Sequence, residues 1–297
     1  MWFGLSLVAL LFLSVRRTSE KRIATNISSS ALAWLQQAMA LPFIVVTLFF
    51  AKFYWPNELP MSFWLNMLVY VICGAIDLFC YFKSLSIADV SFVAPLLTLT
   101  SVAIIIGSYF ILGQVPSLSG VFGASLVVAG AYIINRAKRK DTSNAENNKR
   151  ALLLILVMVT LRGLFANIEV NMLRISNPTT FNFYSSVLTV PLVVLVTSVV
   201  VRSRKEQFAG YWTKVGHGIR EHFWPLLFVG LTYTINLLAT YQAKLLSPNA
   251  GYVASVKSAS ILPVVFIGYF FFKEKVVRTQ WYGIVLILIG LAFLAMN

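Results

Sequence analysis

Charge is what this sequence has least of. Of its 297 residues, 11% are Asp, Glu, Lys or Arg and 59% are hydrophobic, with a mean hydropathy of +0.80. Soluble domains carry roughly 25% charged and 45–50% apolar residues, so a water-soluble enzyme and a disordered chain are both excluded. Cysteine is nearly missing. Cys73 and Cys80 fall at i, i+7 in one apolar run, about 10 Å apart along a helix, too far to join. Neither a disulfide framework nor a thiolate metal site follows. Histidine is as scarce, and His217 and His222 lie in a basic stretch with no Cys or Asp beside them, so no metal site is expected. There is no G-x-S-x-G, no H-E-x-x-H and no phosphate-binding glycine loop. The chain therefore offers no catalytic motif, no ATP-driven step and no cofactor site. The net charge of +14 could signal nucleic acid. Its location argues otherwise: the basic residues fill short links between apolar runs, as the positive-inside rule produces.

What is present is a series of apolar runs of the length that crosses a roughly 30 Å hydrocarbon core. They fall near 2–15, 30–51, 62–84, 88–112, 117–135, 151–173, 179–201, 223–246, 250–272 and 280–296. Continuous apolar runs, without alternation, predict helices and exclude a β-barrel. The first run is short, but its helix can extend through Arg16–Arg22 with those side chains snorkelling. Positive charges follow that run instead of preceding it, which argues against a cleaved signal peptide. With ten spans, nineteen Lys and Arg fall in links on one side and three on the other. The positive-inside rule then puts the basic links, 136–150 and 202–222 among them, in the cytoplasm of a cell-membrane protein with both termini outside.

The two halves read as copies. Sliding the second half back by 160 residues aligns Tyr81 with Tyr241, Tyr109-Phe110 with Tyr269-Phe270, Gly123 with Gly283 and Gly130 with Gly290. Gln114 meets Glu274 and Asp89 meets Asn249, while MALPFIVV (39–46) resembles LTVPLVVL (188–195). The expected organisation is a first five-helix repeat (1–135), a basic linker (136–150) and a second five-helix repeat (151–297). An odd number of spans per copy inverts the second copy in the bilayer, the arrangement common in secondary transporters.

The segments SIADVSFVAPLLTLTSVAIIIGSYFILGQ (86–114) with GVFGASLVVAG (120–130), and SPNAGYVASVKSASILPVVFIGYFFFKEK (247–275) with YGIVLILIG (282–290), resemble the EamA branch of the drug/metabolite transporter superfamily. The resemblance covers nearly the whole chain, and the second copy is the closer match. It implies a multi-pass carrier of small metabolites. Spans one to four and six to nine would surround a central cavity, with spans five and ten at the periphery. Efflux, and amino acids or related carboxylates as cargo, are likewise implied by the resemblance. Gln114 stands where the family usually shows Glu.

Ionisable residues inside spans cost about 2.5–3.5 kcal/mol each on insertion scales, so each is a functional candidate. Asp77, Arg162, Glu169 and Lys257 are the four here. Lys257 suits a carboxylate or phosphate as a point charge, or else neutralises Asp77. The sugar-phosphate and nucleotide-sugar branches of the superfamily carry a Lys-Arg pair at this point, whereas this chain has Lys257-Ser258. Arg162 either joins Lys257 in holding an anionic group or forms a structural ion pair. Glu169 and Asp77 are candidates for proton exchange, or for permanent pairing with Arg162 or Lys257. In span eight Tyr233, Asn236 and Thr240 share one face. With Asn167 of span six they line a cavity or bond between helices. Gly123, Gly130, Gly283 and Gly290 mark a close-packed seam, and Pro42, Pro95, Pro191 and Pro263 are candidate kinks.

The sequence thus predicts an all-α membrane protein of ten transmembrane helices in two inverted five-helix repeats. Its function would be the carriage of a small polar organic metabolite by alternating access. One chain supplies both halves, so a monomer suffices, and a homodimer is compatible. The rival readings are a carrier of phosphorylated sugars or nucleotide-sugars, an intramembrane lipid-modifying enzyme and a non-transporting scaffold.

Overall fold

The computed structural model describes residues 1–23, 27–88, 90–136, 145–203, 208–263, 265–266 and 278–297. Asp89, Tyr269-Phe270, Glu274 and most of the basic linker lie outside the described residues. Among those described, the protein is helical and has no strand. The elements are α1 (Trp2–Ile23), α2 (Ser29–Ala38), α3 (Leu41–Leu48), α4 (Met61–Ile87), α5 (Val90–Leu97), α6 (Thr100–Leu112), α7 (Leu118–Arg136), α8 (Ala145–Ile175), α9 (Pro178–Ser203), α10 (Phe208–Glu221), α11 (Phe223–Leu246), α12 (Ala250–Ser258) and α13 (Arg278–Ala295). Six stretches are long and apolar enough to cross a membrane: Ala31–Leu48, Met61–Tyr81, Lys149–Ile175, Pro178–Arg202, Phe223–Leu246 and Arg278–Ala295. Thr100–Leu112 and Leu118–Ile134 are shorter apolar helices. The chain is a multi-pass membrane protein.

Three apolar runs contain breaks. α2 and α3 divide at Met39–Ala40, and α12 stops before a turn at Ala259–Ser260, after which Ile261–Pro263 are again helical. Pro42 and Pro263 each lack the N–H that would bond the carbonyl four residues back, at Ala38 and Ala259. Each break begins at or beside that orphaned carbonyl. Pro191, by contrast, lies inside the unbroken α9. The third break, at Thr98–Leu99, falls downstream of Pro95. Neighbouring helices close over the freed backbone. Thr234 Oγ1 donates to the Ala40 carbonyl at 3.4 Å and Ser14 Oγ to the Ser260 carbonyl at 3.0 Å.

Two long links are partly helical. α8 begins at Ala145, within the stretch read as linker, with Glu146 in its first turn and bonded to Arg150 at 2.6 Å. An acid near a helix N-terminus and an i, i+4 pair both favour that start. The link at 202–222 contains α10. It buries Tyr211 and Val215 against Leu35, Val201 and Leu226, and exposes Lys214, His217 and Arg220.

The packing has a two-fold exchange pattern. α4 lies against α8 and α1 against α11; α6 lies against α8 and α1 against α12; α7 lies against α13. Each partnership is the other's image if the first five runs are exchanged with the last five. The glycines show it at atomic detail. A Cβ on Gly123 would come 2.8 Å from the Gly290 carbonyl oxygen, and one on Gly130 would come 2.5 Å from that of Gly283. Matched glycines thus swap partners, as a self-complementary contact requires. Close backbone approach without Cβ atoms is how helices gain contact where lipid supplies no hydrophobic drive.

Gly130→Val is therefore expected to lower the thermal unfolding midpoint in detergent, with a cost of about 1–3 kcal/mol or more from overpacking. Gly74→Ala, where no atom lies within 4 Å of the added methyl, is expected to leave the midpoint unchanged.

Candidate functional site

The ionisable side chains project inward from α1, α4, α8, α11 and α12. Arg162 of α8 meets Asp77 of α4 in a bidentate pair, Nε to Oδ1 at 2.7 Å and Nη2 to Oδ2 at 2.9 Å. Two parallel charge-assisted bonds fix the guanidinium plane as well as its charge. Their side chains remain 27% and 15% exposed. Deeper in, Lys244 Nζ donates to Glu169 Oε1 at 2.6 Å, with both side chains buried. On α1, Arg16 Nε lies 3.2 Å from Glu20 Oε1 without hydrogen-bond alignment. The Arg16 guanidinium also sits 5.1 Å from the centre of the Tyr233 ring, a cation–π contact.

Two cations remain without a carboxylate. Arg17 Nη1 donates to the hydroxyl of Ser260 at 3.0 Å, reaching from α1 into the break below α12. Lys257, half-buried one turn before that break, makes no hydrogen bond and no ion pair among the described residues. The two are close enough to interact electrostatically. Beside Lys257, the hydroxyls of Ser258 and Ser101 meet at 3.0 Å, so α12 and the start of α6 touch where both runs are interrupted. Such broken-helix crossings expose backbone that only a protein-lined or wet interior tolerates.

The remaining candidates from the sequence fall into two groups. Tyr233 is half-buried below Arg16. Asn167, Asn236 and Thr240 are buried and bonded to other protein groups. The Asn167 amide accepts from Ser108 at 2.7 Å and donates to the Gly163 carbonyl at 2.5 Å. Asn236 donates to the Ala9 carbonyl at 2.5 Å, and Thr240 to the Asn236 carbonyl at 2.7 Å. Their polar capacity goes into joining α8 to α6 and α11 to α1. Gln114 caps α12: its amide oxygen accepts from Ala250 N at 3.1 Å, while Asn249 Oδ1 accepts from Gly251 N at 2.9 Å. A neutral amide serves as well as a carboxylate for that bond, and this accounts for Gln114 in place of an acid.

Four members of the cluster escaped sequence reading. Arg16, Arg17 and Glu20 were placed among interfacial side chains because they follow an apolar run, yet α1 continues to Ile23 and carries them inward. Lys244 was counted with an outer link, but it is buried in the last turn of α11. Its signal was present, since a Lys two residues inside the end of a polar span needs a partner.

Three comparisons bear on this geometry. The model of the EamA-like transporter family matches residues 1–136 and 149–296. No curated protein matches the chain by sequence. A protein of known crystal structure superposes with a TM-score of 0.71 over 99% of this chain and 96% of its own, at 12% identity, which establishes a shared fold alone.

Removing one partner of a buried pair leaves an uncompensated charge, at a cost of about 3–5 kcal/mol. Lys244→Met is expected to destabilise the protein on that scale in thermal unfolding. Adding Glu169→Gln to it should recover most of the loss, and a double variant no more stable than Lys244→Met would show that the pair is not coupled.

Proposed function

The chain belongs to the EamA-like transporter family, part of the drug/metabolite transporter superfamily, and on that premise we propose that it carries a small organic anion across the membrane by alternating access. The architecture of this reading is ten spans in two inverted repeats, read from the matched glycines and the exchanged helix partnerships. The basic links face the cytoplasm, the termini face outward, and the direction is efflux.

One observation carries the substrate class. Among the described residues the interior cluster has three carboxylates, each beside a cation, and two further cations, Arg17 and Lys257, that have none. A membrane interior does not retain unbalanced charge without cost, and a ligand carboxylate at Lys257 would balance it. Ser258 and Tyr233 would orient the remainder of the cargo, with Arg162 held in place by Asp77. Amino acids and related carboxylates fit this arrangement first. A second reading rests on Arg17: by reaching Ser260 it brings to Lys257 the second cation that the Lys257-Ser258 sequence lacks, and two cations suit a phosphorylated metabolite. Asp77 and Glu169 are ion-paired here, so a proton accepted by either would break its pair. Exchange of one anion for another requires no such loss.

In proteoliposomes of purified protein, uptake of a carboxylate or phosphorylated solute is expected to fall roughly ten- to hundredfold in Lys257→Gln. This is the loss produced by removing one charge-assisted contact of 1.5–3 kcal/mol. Phosphorylated solutes should suffer more than carboxylates in Arg17→Gln. Unchanged flux of every anion tested in Lys257→Gln would sink the anion reading.

A further inference from the structure

The cluster above leaves one buried polar surface unused. α9 carries Asn182, Ser186, Thr189 and Thr197 at i, i+4, i+7 and i+15, one face of a helix over about 22 Å. Asn182, Ser186 and Thr197 have no exposed surface, and Thr189 is half-buried. The amide oxygen and nitrogen of Asn182 and the hydroxyls of the other three are sealed from solvent and have no hydrogen-bond partner. Native interiors pair nearly all such groups. A row of unpaired ones along a single face therefore needs an explanation.

α9 packs against α2, α3, α4 and α11. Its repeat counterpart is the broken α2–α3, and the two lie directly against each other. That partner has the same defect: the indole nitrogen of Trp34 and the amide oxygen of Gln36, both on α2, are also buried without a partner. Along the seam the break at Met39–Ala40 supplies a joint. The far end is closed by a loop. Asn177 Nδ2 donates to the Lys52 carbonyl at 2.5 Å, Tyr54 N donates to Thr180 Oγ1 at 3.2 Å, and the Tyr184 hydroxyl donates to the Tyr54 carbonyl at 3.1 Å.

We infer that the seam between α9 and α2–α3 is a wall of the transport path, closed and dry in this conformation and opened to water in the other. The inference rests on the carrier reading above and adds a second stretch of path to its charged centre. Unpaired hydroxyls and amides are a penalty in the closed state, and water repays it when the seam parts. The penalty keeps the closed and open states near in free energy, as a carrier that must visit both requires. The stripe is neutral, so it passes hydrogen-bonding cargo without holding it, whereas Lys257 and Arg17 hold charge.

The test uses the full chain carrying Cys73→Ala and Cys80→Ala, in right-side-out and inside-out membrane vesicles. Single cysteines are placed at Ser186, Thr189 and Thr197, at lipid-facing Leu195 and at Lys257, and are reacted with a charged, membrane-impermeant methanethiosulfonate. That reagent needs a hydrated thiolate. At least two of the three α9 positions should react roughly tenfold faster than Leu195→Cys from one side or the other. If all three are as slow as Leu195→Cys while Lys257→Cys reacts, the seam is a fixed contact and this inference fails alone. If Lys257→Cys is also unreactive from both sides, the carrier reading fails with it. Ser186→Ala and Thr197→Val give a second measure that requires no labelling. Removing the unpaired hydroxyls should raise the unfolding midpoint and slow flux, and an undiminished flux in both would overturn the gate.

Discussion

An excess of positive charge held away from water governs this molecule. Arg17 and Lys257 lie where lipid cannot solvate them and where no carboxylate balances them. Charge in that position persists only when the surrounding fold supplies polar neighbours or a partner arrives from outside. The broken α12 provides part of this. Its interruption at Ala259–Ser260 offers a free carbonyl and a hydroxyl, which α1 meets with Ser14 and Arg17. The other charges are matched in pairs, Arg162 with Asp77 and Lys244 with Glu169, and each pair joins two helices. The ion pairs thus fix α4 to α8 and α8 to α11 around the two cations that remain.

Packing and breakage divide the labour. At the glycine seam of α7 and α13 the backbones approach so closely that no side chain intervenes, and nothing there suggests movement. The interruptions lie elsewhere, at Met39–Ala40, Thr98–Leu99 and Ala259–Ser260, in the runs that surround the charged cluster. Rigid contact at the periphery and broken helices at the centre are a physical basis for one bundle rocking on another. α9 fits this division: unbroken, but with an unsatisfied polar face turned to a broken neighbour.

Much of this was legible in the sequence because lipid imposes few solutions. Apolar run length gave the helices, and the repeat of Gly123 and Gly130 in Gly283 and Gly290 marked the seam the structure closes. The cost of burying charge picked out Asp77, Arg162, Glu169 and Lys257. Pairing was not legible. Asp77 and Arg162 lie 85 positions apart, and a sequence gives equal reason to pair Asp77 with Lys257. Arg16 and Arg17 looked interfacial because sequence cannot show that α1 leans towards the break in α12. The α9 stripe escaped for another reason: Ser and Thr in an apolar helix normally bond to the preceding turn, and only burial without that bond distinguishes these. The interruptions in spans two and four were hidden inside continuous apolar composition, with Pro42 and Pro95 the sole hints.

The central claim is that the interior is an anion site built from Lys257 and Arg17. Equilibrium binding to the purified protein tests it most directly, with a carboxylate, a phosphorylated metabolite and an organic cation titrated at two salt concentrations. The account predicts saturable binding of at least one anion with about one site per chain. That binding should weaken with salt and be lost in the Lys257→Gln, Arg17→Gln double variant, with none for the cation. Binding of the cation, or anion binding that survives in the double variant, would contradict it.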